Sequence, residues 1–409
     1  MRSSGAVGDG RDDGLGQLLV LLATGQASSK AELVRLSGMS ASTVSHRVDL
    51  LLSLGLVVES GEGRSTGGRR PVLLAVNPEA GLVLAADIGA SHYDIAIADL
   101  GQQVLARVSG AIDLADGPDA VLSELVAEFQ RMLGELGRSA EEVRAIGVGL
   151  PAPVEFATGT VVRPPIMPGW DGFSVPDWFR SHFQAPVLVD NDVNVMALGV
   201  YWDHASSAEQ LLVVKVATGI GCGIISRGQL HRGADGAAGD IGHIRVAGRE
   251  DVVCRCGNSG CLEALASGAA IARQLQADGI EAQNSRDVVQ LAHAGDARAL
   301  RAVREAGQHI GEVLASLVNF YNPDTIVIGG ALAELRDELL AAIRGVIYQR
   351  ALPLATRKLD VIALPPDQHV AVIGAIMLAR QEALSRTAII SRLGDRPIID
   401  ACPVGTKKP

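Results

Sequence analysis

One histidine and three cysteines between positions 243 and 261 have the residue types and the spacing to hold a metal ion. The segment opens Gly239, Asp240, Ile241, Gly242, His243 and closes Cys254, Arg255, Cys256, Gly257, Asn258, Ser259, Gly260, Cys261, Leu262, Glu263. Structural zinc takes four nitrogen or sulfur ligands, and glycines between cysteines let a short loop turn three thiolates onto one ion. Three of the chain's five cysteines fall within eight residues, which is not how isolated buried thiols are distributed. His243, Cys254, Cys256 and Cys261 therefore read as ligands of a structural Zn2+. Asp240 and Glu263 stand at the edges of the loop as carboxylates.

A second chemical group is Asp190, Asn191, Asp192, Val193, Asn194, directly after an apolar strand at Val187–Val189. A carboxylate at a strand end beside an amide can accept a proton from a hydroxyl nucleophile. The same Asn-Asp pair can cap the following helix, and the two roles are compatible. A third group is Thr218, Gly219, Ile220, Gly221, Cys222, Gly223, whose alternating glycines either cradle a phosphate or pack a hairpin tightly.

The elements that must position these groups follow from composition and periodicity. The chain has 409 residues, 48% hydrophobic but only 3% aromatic, so two or three domains with aliphatic cores are expected. Net charge is -10, yet residues 1–76 carry eight Lys or Arg against seven Asp or Glu, so the acidity lies beyond them. No apolar run reaches the roughly 20 residues of a membrane helix, and the polar start has no signal-peptide core, so a cytoplasmic protein is expected. Thiolates committed to zinc suit such a reducing compartment.

Residues 1–13 are poor in apolar side chains and read as disordered. Leu15, Leu18, Leu19 and Leu22 then recur at helical spacing. Ser28 or Ser29 caps a second helix, Gly38 turns the chain, and a third helix follows Ser40 with Val44, Val48, Leu51 and Leu52 inward. Gly55–Val58 and Pro71–Val76 read as strands around a Gly-rich turn at 61–69, which makes residues 14–76 a winged helix-turn-helix. In that motif the third helix meets double-stranded DNA, so Ser40, Ser42, Thr43, Ser45, His46 and Arg47 are candidate contacts, and Arg64, Arg69 and Arg70 candidate wing contacts to the backbone or minor groove. Asn77–Gly81 forms a linker. Beyond it strands alternate with helices, an α/β architecture over residues 82–385, leaving residues 386–409 as a tail of unassigned role.

The zinc loop resembles that of the ROK family of repressors, open reading frames and kinases, whose pattern is Gly-Glu-x-Gly-His followed by Cys-x-Cys-Gly-x-x-Gly-Cys-x-Glu. The resemblance implies a two-lobed actin-like, sugar-kinase type fold, with a C-terminal helix at Val370–Leu384 returning to the first lobe. It implies that His243 serves both zinc and sugar, that Glu263 and Asn191–Asp192 bind sugar, and that Asp240, in place of the usual Glu, stands at a further sugar contact. Asp192 would be the general base if kinase activity is retained. Nucleotide contacts implied by the family are Asp87 and Gly89 in a first phosphate turn, Thr218, Gly219, Gly221 and Gly223 in a second, and Gly329 and Gly330 on the adenosine side.

Three departures accompany the likeness. Ala90, Ser91 and His92 replace a Gly-Thr-Lys, Ala152 and Pro153 follow Pro151 where the kinases have Pro-Gly, and Arg163–Trp170 lacks the family's sugar-loop asparagine. ROK repressors begin with a winged domain and ROK kinases lack it. The expectation is a sugar- or sugar-phosphate-responsive regulator of carbohydrate genes, a repressor acting as a homodimer on an operator. The alternative is an ATP- and Mg2+-dependent sugar kinase, or a protein that does both.

Overall fold

The computed structural model describes residues 13–63, 70–365, 369–385 and 387–389. The expected wing residues Arg64 and Arg69 lie outside the described residues, as do residues 1–12 and the tail from 390. The chain forms two compact units, one from the described residues up to Gly81 with Asp99–Gln103 and those from Gln381, the other from Leu82–Ala98 and Val104–Arg380.

In the first unit, helices α1 (Asp13–Ala23), α2 (Lys30–Ser37) and α3 (Ala41–Ser53) precede strands β1 (Val57–Glu62) and β2 (Val72–Val76). Ser29 caps α2 by accepting from the Glu32 amide, while the Glu32 carboxylate accepts from the Ser28 amide at 2.8 Å, a reciprocal arrangement that fixes the helix start. Gly38 ends α2 at φ 70°, a left-handed conformation that costs glycine little. Ser40 then caps α3 through the Thr43 amide at 3.1 Å. Leu15, Leu18, Leu19, Leu33, Val44, Val48 and Leu51 bury the inner helix faces with Leu56, Val57, Leu74 and Val76 of the hairpin. The first wing strand starts two residues later than expected, because Gly55 at φ 65° closes α3 by donating to the Leu52 carbonyl. It also runs four residues further, since pairing with β2 continues past a bulge between Glu59 and Gly61.

In the second unit, β3 (Leu82–Ile88), β4 (His92–Asp99), β5 (Val104–Ala111), α4 (Pro118–Glu135) and β6 (Val143–Leu150) lead to a small hairpin, β7 (Val154–Glu155) and β8 (Thr160–Val161). Then come α5 (Val175–Phe179), β9 (Val187–Asn191) and α6 (Asp192–Asp203). The second half holds β10 (Gln210–Val216), β11 (Ile220–Ser226), β12 (Gln229–Leu230), α7 (Leu262–Ala266), α8 (Gly268–Ala277), α9 (Ser285–His293) and α10 (Ala297–Tyr321). It closes with β13 (Thr325–Gly329), α11 (Ala341–Arg350), α12 (Pro353–Thr356), β14 (Asp360–Ala363) and α13 (Val370–Ala383).

Two five-stranded sheets result, ordered β5-β4-β3-β6-β9 and β12-β11-β10-β13-β14. Each has the same order of first appearance, so β3 and β10 occupy matching central places. Helix α4 buries Val121, Leu122, Leu125, Val126, Phe129, Met132 and Leu133 on the first sheet, while α10 buries Ile310, Leu314 and Val318 in the core of the second. Removing each such side chain from water contributes roughly 1.5–3 kcal/mol, which is what holds helix to sheet. Among the described residues no helix is long and apolar enough to cross a membrane.

Helix α6 joins the halves, packing on β6 and β9 as well as β10 and β11. Its partner is α13, and the two approach backbone to backbone. A Cβ on Gly199 would lie 1.7 Å from the Val370 carbonyl oxygen, and one on Gly374 would lie 1.8 Å from that of Val195. A Cβ on Gly147 of β6 would similarly lie 2.2 Å from the Ala375 carbonyl oxygen. Only glycine permits this approach, since backbone cannot move aside as a side chain does.

Gly374→Ala is therefore expected to destabilise the protein by about 2 kcal/mol or more. Gly345→Ala in α11, where a Cβ meets nothing within 4 Å, is expected to stabilise it by about 0.5–1 kcal/mol. Urea unfolding of both variants beside the parent checks the opposite signs.

Candidate functional site

The loop from Gly239 to Glu263 is folded so that its two arms meet. Residues Ile241–His243 form a single 3-10 turn, and isolated bridges pair Arg245 with Cys261 and Val253 with Ser259. The Cys254 amide donates to the Asn258 carbonyl at 2.7 Å, closing the cysteine turn. His243, Cys254, Cys256 and Cys261 thereby bring four donor atoms within 4.8 Å of one another. Cys256 Sγ lies 3.7 Å from Cys261 Sγ, and Cys254 Sγ lies 3.7 Å from His243 Nδ1. A zinc tetrahedron with arms of about 2.3 Å has edges of about 3.8 Å, so the donor set fits the ion. Burial pushes the Cys261 thiol up to about 12 and the Cys254 thiol upward too, whereas an amide hydrogen bond at Asn258 holds Cys256 down. A bound dication would reverse the burial effect by stabilising each thiolate. With Nδ1 turned to the thiols, His243 Nε2 faces Asp240 Oδ1 at 3.9 Å, and Asp240 itself is exposed.

Glu263, at the start of α7, accepts from the Ile220 amide at 3.1 Å. The zinc loop is thus tied to the turn between β10 and β11. Of the expected phosphate-turn residues, Thr218 and Gly219 lie in the loop. Gly221 and Gly223 stand inside β11, where a Cβ would press on Val193 at 3.1 Å and Ala197 at 2.5 Å. Their lack of side chain lets α6 settle on the strand. Gly329 and Gly330 similarly give way to Met196 and to the backbone of Val216.

Asn191 caps α6. Its Oδ1 accepts from the Val193 amide at 3.0 Å and its Nδ2 donates to the Ala152 carbonyl at 3.0 Å. Buried Asp190 beside it accepts from the Asn191 amide and from Asn194, both at 2.8 Å, and pairs with Arg232 at 2.6 Å. Arg232 also stacks on Phe156, its guanidinium carbon 3.6 Å from the ring centroid. In the Arg163–Trp170 segment, Trp170 is fully buried against Phe173, which makes it core.

The residue that sequence reasoning missed is Lys215. It is the sixth residue of β10, and its Nζ donates to Asp192 Oδ2 at 2.7 Å. Burial disfavours the ammonium, but the Asp192 and Asp87 carboxylates and the hydrogen bond to Asp192 outweigh it and raise its pKa. Asp87, sixth in β3, is buried with an Oδ1 that has no hydrogen-bond partner. Burial lifts its pKa to about 7, against the pull of Lys215 and with added repulsion from Asp192 and Asp94. A lysine inside the apolar run Leu211-Leu212-Val213-Val214-Lys215-Val216 was the available signal.

The first phosphate turn is covered by His92. A Cβ on Gly89 would come within 2.5 Å of the His92 ring, so the imidazole rests where the backbone would otherwise be open. Burial lowers the His92 pKa, with the cations Lys215 and Arg286 acting in the same direction.

On the DNA-facing candidates, Ser40 Oγ lies 2.9 Å from Ser42 Oγ and 2.8 Å from Thr43 Oγ1. Ser42, His46 and Asp49 are exposed, while Lys30 holds Ser45 at 3.1 Å and Asp49 at 2.8 Å. Arg47 folds inward, its Nη1 2.8 Å from Met39 Sδ and over Gly14. Arg70 is exposed, 3.7 Å from Glu62.

Two lobes of one strand order, joined through a helix that carries a carboxylate at its start, define a sugar-kinase type domain of the actin-like fold. A winged helix-turn-helix precedes it. Residues 83–382 match the ROK family, and the chain belongs to it. It is 29% identical over 387 residues to the xylose repressor of Caldicellulosiruptor bescii, covering 91% of this chain and 96% of the relative. A solved ROK family transcriptional regulator, homologous to the E. coli MLC protein, superposes with a TM-score of 0.77 at 23% identity over 94% of this chain and 98% of that one. The ROK family glucokinase of Streptomyces griseus, solved with glucose and AMPPNP, gives a TM-score of 0.61 at 27% identity. It covers 74% of this chain and all of its own.

Two outcomes are expected. Purified reduced protein should carry about one zinc per chain, and Cys261→Ser should lose most of it with a lowered unfolding midpoint, measured by metal analysis and thermal unfolding. The second concerns pH. Asp87 has a folded-state pKa of about 7 against an ordinary value of 3.8, so its contribution is fully present below the lower value and is lost as pH rises through the higher. Stability should fall across that window. Asp87→Asn should flatten the fall, read from urea midpoints at about pH 5 and about pH 8.

Proposed function

We propose that this protein is a sugar-responsive transcriptional regulator, a repressor of carbohydrate genes that binds an operator as a homodimer. The observation that carries the reading is the union in one chain of a winged helix-turn-helix with a ROK domain whose zinc loop and Asn191–Asp192 segment converge on α6 and the β10–β11 turn. The first unit supplies DNA contact. Exposed Ser42 and His46 on α3 are the candidates to meet base edges, and exposed Arg70 a phosphate. In the second unit a sugar would meet Asp192, Asp240, His243 and Glu263, with the zinc ion bracing the loop that presents the last three. The chain, similar to a protein named xylose repressor, would then convert sugar binding into a change of operator affinity.

The mechanism is linkage. A ligand that prefers one angle between the lobes shifts the population of that arrangement, and paired winged units read the shift as half-site spacing. A coupling of about 1–3 kcal/mol changes operator affinity roughly 5- to 150-fold. Lys215 bound to Asp192 speaks against the kinase alternative, since the expected base already has a counter-ion.

The test is electrophoretic mobility of DNA upstream of this gene with full-length protein and a panel of pentoses, hexoses and their phosphates, run beside an ATP-coupled phosphorylation assay. One sugar should change DNA affinity by at least about fivefold without turnover. Ser42→Ala with His46→Ala should lose operator discrimination by about tenfold or more, while salt-sensitive general DNA affinity persists. ATP-dependent turnover abolished by Asp192→Ala, with no DNA affinity, would establish the kinase instead.

A further inference from the structure

The two sheets repeat one strand order, and their matching central strands end alike. Asp87 is the sixth of seven residues in β3 and Lys215 the sixth of seven in β10. Each is paired in register with a glycine of the neighbouring parallel strand, Gly149 and Gly329. Asp192, the first residue of α6, stands between the halves. A carboxylate at the start of a helix, where the two halves join, is the kind of oxygen ligand a divalent cation takes. Lys215 supplies that positive charge from the chain itself. Its Nζ donates to Asp192 Oδ2 at 2.7 Å.

We propose that Lys215 is a built-in cation that takes the place of a divalent metal at Asp192, making this a site that holds a polyol ligand without transferring a phosphoryl group to it. The proposal rests on the sugar-binding reading above and says why the ligand leaves unchanged. Phosphoryl transfer needs a metal to bridge phosphate oxygens and a carboxylate to take the hydroxyl proton. Lys215 obstructs both. A metal entering beside Asp192 would meet an ammonium, and a proton moved onto Asp192 would strip Lys215 of its counter-charge in a partly buried place. His92, resting on Gly89, blocks close approach of a phosphate to the first turn as well. Neither obstacle touches the hydroxyl-binding edge formed by His243 and Asp240. The ammonium retains further donors for a ligand oxygen, so pairing with Asp192 does not close the site to a sugar.

The probe is Mn2+ alone, counted by electron paramagnetic resonance in zinc-loaded full-length protein without DNA or sugar. Wild type should take up no Mn2+ that Asp192→Asn removes. Lys215→Met, which keeps the stem and drops the charge, should bind Mn2+ at least about tenfold more tightly than wild type, and Lys215→Met/Asp192→Asn should lose the gain. Folded Lys215→Met binding Mn2+ no better than wild type would overturn the proposal. Should that variant not fold, wild type decides alone. Mn2+ uptake abolished by Asp192→Asn, or ATP-dependent phosphorylation of any sugar in the panel, overturns it, and neither being seen supports it. Failure of sugar-sensitive operator binding with these metal results intact would sink the regulator reading and leave Lys215 its role.

Discussion

The crossing of α6 and α13 is the contact on which the second unit depends. Gly199 and Gly374 let the two helices touch backbone to backbone, and α6 is the element that packs on both sheets. Because nothing compressible lies between the helices at that point, their separation is fixed, and the start of α6 is fixed with it. Asn191 and Asp192 stand at that start, so the chemistry of the site inherits the rigidity of a packing contact. The same helix receives Gly221 and Gly223 of β11, which carries the constraint into the second sheet.

A continuous set of interactions then leads from the His/Cys donor cluster to the Asp192 carboxylate. Four donors that could hold a metal meet in the loop, Cys261 is followed by Leu262 and Glu263, and Glu263 grips the Ile220 amide. Ile220 begins β11, whose antiparallel partner β10 holds Lys215 opposite Gly221. Lys215 in turn binds Asp192. Each step is a hydrogen bond, a ladder pairing or an ion pair of defined length, so a change in the zinc loop is mechanically adjacent to the junction of the lobes. Glu263 is the link of this route, its carboxylate accepting from the Ile220 amide at the start of the strand.

Much of the fold was legible because the periodicities were strong. The strand Leu82–Ile88 and the returning helix from Val370 stand out as apolar segments bounded by clear turns, and Ser29, Gly38 and Ser40 mark helix ends by local chemistry alone. The clustering of the candidate donors was legible for a similar reason, since most of them are neighbours in sequence. What sequence could not convey was partnership over long distances. Lys215 and Asp192 are separated by 23 positions, and nothing local to either announces the pair. Glycines were ambiguous for a related reason. Gly221 and Gly223 have the spacing of a phosphate turn, yet they occupy a strand because Val193 and Ala197 need the room. Arg47 reads as an exposed cation on α3 until Met39 and Gly14 are seen to draw it inward.

The repeated strand order has a consequence for how such domains diversify. The two sheets share one strand order, and at the sixth position of their matching central strands one half carries an acid, Asp87, and the other a base, Lys215. Equivalent places in a repeated scaffold can thus carry opposite charge, and here the base reaches across to Asp192 at the start of α6.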